Sequence, residues 1–466
     1  MSSTTAAPNN GLAGKLGTWL MIIATVVLAF VICVELINIL FYDPWSDEKF
    51  LFKLSGSLSG VEIGPLTYLM FGSLAVALMM GLPLAFVTGG LGVMFIYLVG
   101  DAMMLNIVPG RIFPLMANPD IAAIPLFIFM ASMLERAGLI EEMFSVVYKW
   151  MGGISGGLAA ATIVASTILA AMVGVIGAAV VTMGIIALPA MLKRHYDHKI
   201  AIGSIMAGGT LGILIPPSIL AILYAVVAQQ SVGELYLGSL LPGLLLSGLY
   251  LTYVLVRSWL NPKLGPPIPV EDRISLKEKL KLLGNLIAPL ALVGLVLGLL
   301  FGGIATPVEA AGIGSFGAII VAMMHKKFSI AGLREASVTT AKASAMVLWI
   351  MFGASVFVGF YILQGGQQFV TDAILGTGMS AYGILFLLMV LLVVLGMFLD
   401  WVGILLLAVP IFIPIVKALE FPGLFGFPPV SGDDVVLWFG VLYLVNMQMS
   451  FLSPPFGYAL FYIRGV

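Results

Sequence analysis

Long apolar runs separated by short polar segments recur along all 466 residues of the chain. Runs of about 20 apolar residues are long enough to cross a bilayer as helices. They predict spans near 17–42, 65–80, 82–99, 120–137, 201–228, 237–258, 284–303, 306–324, 343–363 and 435–462. Two further stretches, 157–192 and 384–417, are long and interrupted by glycine or proline. They read as re-entrant hairpins that enter and leave the membrane on one side. Residues 1–11 are polar, and 17–42 is too long for a signal-peptide core, so it reads as a first transmembrane helix. Outside the spans, 274–283 sets Leu276, Leu280 and Leu283 on one face and Lys277 and Lys281 on another. That pattern suits a helix lying at the cytoplasmic interface, with an ordinary solvated loop as the alternative. A weaker version follows at 328–343, and a Pro-rich linker lies at 262–269.

Composition makes lipid the solvent. The chain is 61% apolar and 9% charged, with a mean hydropathy of +1.15, whereas a soluble domain carries roughly 25% charged residues. The 54 Gly and 25 Pro suit membrane helices that pack closely and break. The single cysteine, Cys33, excludes an intramolecular disulfide, and a net charge of −1 points to no nucleic-acid partner. Charge also tests the topology. With the N-terminus cytoplasmic, only Lys49, Lys53, Arg111 and Lys417 of the 21 basic residues fall outside, as the positive-inside rule requires. Reading either hairpin as a simple span would put the next basic loop on the wrong side.

The two halves echo each other. Gly81-Leu-Pro83-Leu-Ala-Phe answers Ala305-Thr-Pro307-Val-Glu-Ala. Ala171-Met-Val-Gly174-Val-Ile-Gly177 answers Gly396-Met-Phe-Leu-Asp400. Ile215-Pro216-Pro217-Ser218 answers Ser453-Pro454-Pro455-Phe456. The topology starts the first copy outside and the second inside, so the copies are inverted. Inverted repeats with discontinuous helices place a substrate site near the bilayer midplane. The expected fold is therefore an all-α polytopic membrane protein, an inverted repeat with two re-entrant hairpins and two broken helices. Its expected regions are an N-terminal extension with one extra helix (1–63), the first repeat (64–260), a cytoplasmic linker with the amphipathic helix (261–283) and the second repeat (284–466).

A Pro-Pro pair inside a membrane helix removes two backbone donors. The carbonyls it frees must be buried in protein or line a cavity, where they can ligate a hard cation, while a half-helix N-terminus offers amides to a carboxylate. Glycine tips bring backbone close from the other side. Asp400, with apolar sequence all around it, is the sharpest candidate, because a carboxylate at the midplane costs on the order of 2.5–3.5 kcal/mol on insertion scales. Either it ligates sodium together with Asn446, Ser453 and nearby carbonyls, or it caps the helix that starts at the tip. Ser218 has the same two readings. For Glu309, after Thr306-Pro307, capping accounts for the residue, and His195, His198 and His325 read as solvated surface. The candidate substrate-binding set is Gly174, Gly177, Pro217, Ser218, Ser453 and Pro455. The candidate sodium set is Gly174, Pro216, Ser218, Gly396, Asp400, Asn446 and Ser453. No nucleophile–base pair, zinc spacing or phosphate-cradling loop points to an enzyme or an organic cofactor.

Seven motifs in order resemble one known family. They are Ile124-Pro-Leu-Phe-Ile-Phe-Met, the first tip, Ile215-Pro-Pro-Ser218, Leu241-Pro-Gly-Leu, Thr306-Pro-x-Glu-Ala310, Gly396-Met-Phe-Leu-Asp400 and Ser453-Pro-Pro455. From about Gly64 onward the chain resembles the large membrane subunit of TRAP transporters, the DctM type. The resemblance implies a sodium-driven, ATP-independent importer in a bacterial or archaeal inner membrane. A periplasmic binding protein (DctP type) would deliver an organic acid, a small membrane subunit (DctQ type) would brace the large one, and hairpins and broken helices would move as an elevator. The sequence at 173–181 resembles the mannitol/chloroaromatic branch, whose substrates are often keto or hydroxy acids. Three departures stand out. The family's first tip often reads Ser-Gly-Ser-x-x-Ala-Asp, but here it is Val173-Gly-Val-Ile-Gly-Ala-Ala179, which leaves a first sodium site resting mainly on carbonyls. The helix before Gly64 is extra. The family also normally continues through another helix beyond Val466, so a truncated second repeat is expected. A stand-alone sodium-coupled carboxylate transporter and an uncoupled channel or scaffold are the competing readings.

Overall fold

The computed structural model describes residues 56–100, 102–173, 176–269, 274–423, 428–454 and 457–465. The predicted helix at 17–42, Cys33, and the candidates Gly174 and Pro455 lie outside the described residues. The described chain is helical, and the contact between Phe421 and Val430 is an isolated bridge. It divides into two compact units, Met1–Pro114 with Trp349–Phe369, and Leu115–Leu348 with Val370–Val466.

In the first unit, α1 (Ile63–Met79) and α2 (Leu84–Val99) pack side by side, separated by Pro83, whose fixed φ starts α2. The sequence expects two separate helices here, and they are found. A further helix, α3 (Ile107–Met116), was missed. Within this unit Phe71 sets its edge on Phe357 and Tyr361, at 5.6 and 5.1 Å. The hydroxyls of Thr67 and Tyr361 meet at 3.0 Å. Gly92 lies against the backbone of Phe357, so a Cβ there would stand 3.0 Å from its nitrogen.

The second unit begins with α4 (Ala123–Arg136) and α5 (Leu139–Met151). The spans do not include α5, yet its stripe Leu139, Ile140, Met143, Phe144, Val146 and Val147 is buried, the pattern of an amphipathic helix. The first hairpin follows as α6 (Gly157–Val173) and α7 (Ile176–Lys193), which pack together. At its base the Tyr196 hydroxyl accepts from the Leu158 amide at 3.1 Å, and burial pushes that phenol up to about 12. The first broken helix is α8 (His198–Thr210), a 3₁₀ turn (Leu211–Ile213), and α9 (Ile219–Ala228). Next comes α10 (Val232–Leu260).

The Pro-rich linker is tied down. Ile268 N–H donates to the Gly152 carbonyl at 2.7 Å, and Gly156 N–H to Gly265 at 2.8 Å. The amphipathic segment forms the first turns of α11 (Leu276–Phe301), started by a Ser275–Glu278 capping box, and Lys277–Gly284 is bent by 47° from the apolar Leu286–Phe301 that follows. Its Lys279 carbonyl accepts from the Trp150 indole at 3.1 Å, while the Lys279 ammonium donates back to the Trp150 carbonyl at 3.3 Å. The following α12 (Pro307–Met324) lies against α4 through small residues. Ala310, Ala311, Gly314, Ser315 and Ala318 let the backbones approach, and Ser315 Oγ donates to the Leu126 carbonyl at 2.7 Å. The weak amphipathic stretch at 328–343 is continuous with its span, forming the 34-residue α13 (Ile330–Leu363). Then come α14 (Gly366–Leu375), the second hairpin α15 (Ala381–Gly396) and α16 (Trp401–Lys417), and the second broken helix α17 (Asp433–Leu452) and α18 (Tyr458–Ile463). By length and composition α10, α12, α13 and α17 can each cross a membrane.

The two hairpin and broken-helix pairs interlock. Each hairpin packs on the first half of its own broken helix, α6 and α7 on α8, α15 and α16 on α17. The second half of each broken helix packs on the other pair, α9 on α16 and α18 on α7. That exchange is what a twofold-related repeat produces, and it brings both breaks into one unit.

Candidate functional site

The first break is wholly buried, with every residue from Leu211 to Leu220 shielded. Its chemistry follows from backbone donors that are missing or diverted. In a continuous helix the Ile213 carbonyl would accept from residue 217, but Pro217 has no N–H. Ser218 replaces it, its Oγ donating to Ile213 O at 2.5 Å while accepting from the Ala221 amide at 3.4 Å. The Thr210 carbonyl would accept from Leu214, but that N–H turns back to Leu211 O at 3.0 Å. Thr210 O, the capping carbonyl of the 3₁₀ turn, accepts in addition from Nε2 of Gln448, at 2.9 Å, from the second broken helix. The Gly212 carbonyl loses its helical donor to Pro216. The Tyr236 hydroxyl closes the far side by donating to Ser218 O at 3.1 Å.

Ser218 is thus a helix cap and a backbone substitute, and its remaining lone pair is what it has left for a ligand. At the first tip Gly177 is buried, and a Cβ on it would stand 2.8 Å from the ring of Tyr462 in α18. The last helix of the second pair therefore covers the tip of the first.

The second pair is more open and more polar. Asp400 is the N-cap of α16, its Oδ1 accepting from the Gly403 amide at 3.0 Å, and the residue is partly exposed. The capping alternative is therefore realised, with the carboxylate turned onto the first amides of α16. Gly396 is buried where a Cβ would be driven into the side chain of Ser450, so glycine is needed for α15 to lie on α17. Asn446, 2% exposed, donates its Nδ2 to the Met389 carbonyl at 2.9 Å, and its Oδ1 is buried without a partner. An orphaned buried acceptor costs about 1–3 kcal/mol. A hard cation, which takes oxygen ligands, is the kind of group that removes that cost.

Ser453 is partly exposed, and its Oγ donates to Met449 O at 2.7 Å. This repairs the carbonyl left when the Ser453 amide shifts to Ser450 O at 3.3 Å. Tyr443 connects the pair internally, its hydroxyl donating to the Trp401 carbonyl at 3.4 Å.

The structure thus brings Gly396 onto the helix that carries Asn446, and places Asp400 beside Trp401, which that helix also holds. Gly177 is met by the ring of Tyr462, and Ser218 by Ile213, Ala221 and Tyr236. Glu309 forms a capping box with Thr306, with bonds of 2.8 and 3.3 Å, as expected of a structural residue. His195 and His198 are exposed, whereas His325 lies 3.6 Å from Glu142, a partner the sequence reading did not foresee. Sequence reasoning also missed Gln448, Thr210, Tyr443 and Tyr462. For Gln448 a signal existed, an amide in an apolar run two residues after Asn446. Among the described residues no three His, Cys, Asp or Glu side chains cluster, so the oxygens at the breaks are mainly carbonyl, amide and hydroxyl, with one carboxylate.

Residues 71–466 match the family model described as the DctM component of the tripartite ATP-independent periplasmic transporters. The isethionate TRAP transporter permease protein DctMQ of Oleidesulfovibrio alaskensis is 30% identical over 87% of this chain, and the chain spans 61% of that protein. The C4-dicarboxylate TRAP transporter large permease protein DctM of Rhodobacter capsulatus is 28% identical over 85% of this chain and 90% of its own length. Among solved structures, the YdaH transporter of Alcanivorax borkumensis superposes with a TM-score of 0.52 over 85% of this chain and 90% of that one. At 16% identity this likeness concerns the fold alone.

Proposed function

The chain belongs to the DctM component of the tripartite ATP-independent periplasmic transporters, the large permease of such systems, and on that premise we propose that it imports an organic acid by coupling its entry to sodium. The observation that carries this reading is the interlock of two hairpin and broken-helix pairs within one compact unit. Broken helices inside a membrane are tolerated only where the freed backbone is buried or lines a site, and paired breaks are the device by which secondary transporters hold ion and substrate together.

In the second pair, Asp400, the orphaned Asn446 Oδ1, Ser453 Oγ and carbonyls near Gly396 supply hard oxygen ligands for sodium. In the first pair Ser218 and carbonyls near Pro216, with the tip at Gly174 and Gly177, supply a weaker set without a carboxylate. The substrate anion is met by amides at the half-helix N-terminus that follows Pro217, the positive end of that helix dipole, and by Ser453 of the second pair, and the bound cation offsets its charge. The relatives are named for isethionate and C4-dicarboxylates, both acids, which agrees with an acidic substrate here, a keto or hydroxy acid being the favoured class. A small permease of the DctQ type and a periplasmic binding protein of the DctP type complete the importer, in a bacterial or archaeal inner membrane with the N-terminus cytoplasmic. Hairpins and broken helices move together as one elevator body.

The test is uptake of labelled organic acid into liposomes holding this chain with its small permease. Accumulation should require both the binding protein and an inward sodium gradient. Equal accumulation without the gradient contradicts coupling, and accumulation without the binding protein favours a transporter that works alone.

A further inference from the structure

Gln448 lies within α17, 2% exposed, and none of the ligand sets above includes it. Its Nε2 completes the backbone of the other broken helix, taking the Thr210 carbonyl at 2.9 Å. Leu214, the α-helical donor of that carbonyl, has turned to Leu211 in the 3₁₀ turn that Thr210 caps, and Gln448 takes a lone pair of the Thr210 oxygen there. Oε1 of the same side chain is buried and unpartnered. Rotating the amide would set Oε1 against the Thr210 oxygen, two acceptors face to face, so only the observed orientation makes a bond. The side chain is thus held at Thr210 even though one of its atoms goes unsatisfied.

Asn446 precedes Gln448 by two residues, about 200° around the helix at 3.6 residues per turn. The one side chain holds Met389 of the second hairpin and the other holds the break of the first broken helix. A second link runs beside this one. Tyr224 of α9 donates to Val436 O at 2.7 Å and stacks at 5.7 Å on Tyr443, which itself holds the Trp401 carbonyl.

We propose that Gln448 is a positioning residue that couples the two ion-binding regions, through its hydrogen bond across the breaks of the two discontinuous helices. This rests on the reading that both regions take up sodium. A cation that draws Asn446 and the second hairpin together shifts α17. Through Gln448 it shifts the end of α8 and the freed carbonyls next to it. Coupling of this kind is reciprocal.

The test is the sodium dependence of uptake by the complete reconstituted transporter, compared for the unmodified protein, Gln448→Met and Thr210→Val. Met conserves length and volume but cannot donate, whereas Thr210→Val leaves the backbone carbonyl in place. The unmodified protein and Thr210→Val should give sigmoid curves with a Hill coefficient of about two, since that coefficient can reach the number of coupled sites. Gln448→Met should fall to about one, with half-activation shifted roughly tenfold, within the usual range for coupled sites, and a nearly unchanged maximal rate. Where Gln448→Met fails to reach the membrane, Gln448→Asn, too short to reach Thr210, is read in its place. A curve as cooperative as that of the unmodified protein, or a lowered maximal rate with an unchanged Hill coefficient, overturns the inference and leaves sodium coupling standing. An unmodified protein indifferent to sodium overturns both.

Discussion

The two hairpin and broken-helix pairs share an architecture and differ in what they leave over. In the first, the polar side chains at the break mostly repair backbone, and what they leave over carries no charge. Ser218 replaces the donor missing at Pro217, Gln448 takes the Thr210 carbonyl, and the segment from Leu211 to Leu220 is sealed from solvent. In the second, the serine again repairs its own helix, but the capping residue is a carboxylate, Asp400, and Asn446 keeps a buried acceptor with no partner. The lesson is about surplus. A Pro-Pro break creates the same backbone deficit in both copies. Both copies keep a buried, unpartnered amide oxygen, and only the second adds a carboxylate, Asp400, which equips it to bind a cation strongly.

Loss of packing should produce the largest effect, and it should be lopsided. A Cβ at Gly396 is driven into Ser450, inside the seam between α15 and α17, while one at Gly177 meets the ring of Tyr462 on a six-residue helix. Overpacking a close-packed interior costs about 1–3 kcal/mol. Gly396→Val should therefore abolish uptake and lower the melting temperature of the purified protein, with Gly177→Val milder on both counts. Equal damage at the two positions would mean the pairs are packed alike. At the other end of the scale, Ser218→Ala removes a helix cap and one backbone repair, which is worth about 1 kcal/mol. It should lower thermal stability slightly and leave half-activation by sodium within about twofold, a change of no more than ~0.4 kcal/mol in binding free energy. A large shift in sodium dependence instead would make the Ser218 hydroxyl a principal sodium ligand rather than one member of a weaker, carbonyl-based set.

Much of this was legible from the amino-acid pattern. Hairpins at 157–192 and 384–417 are found as α6–α7 and α15–α16, with Gly177 and Gly396 close to the turns and Pro189, Pro410 and Pro414 inside the helices. Pro216-Pro217 marks the first break because proline lacks the N–H that a helix needs. The stretch at 139–151 escaped notice because Glu141, Glu142 and Lys149 hide its buried stripe from a search for continuous apolarity. The amphipathic segment expected at 274–283 is found at the start of α11, bent by 47° from its apolar part, whereas 328–343 is the polar start of the continuous α13, since charge alone does not end a helix that keeps its backbone bonds. Asp400 and Asn446 stood out as polar residues in apolar surroundings. The partner of Gln448, 238 positions away at Thr210, is a product of the interlock and has no local signature.

The inequality of the pairs is tested most directly by equilibrium binding of radioactive sodium to the purified protein, comparing Asp400→Asn and Asn446→Ala with Ser218→Ala. Asparagine is as good a helix cap as aspartate, so Asp400→Asn removes charge while sparing the start of α16. High-affinity binding should weaken about tenfold or more in Asp400→Asn and Asn446→Ala, that is by at least ~1.4 kcal/mol, and persist in Ser218→Ala. Unchanged affinity in the first two variants, or its loss in Ser218→Ala alone, would contradict the assignment of the principal cation site to the second pair.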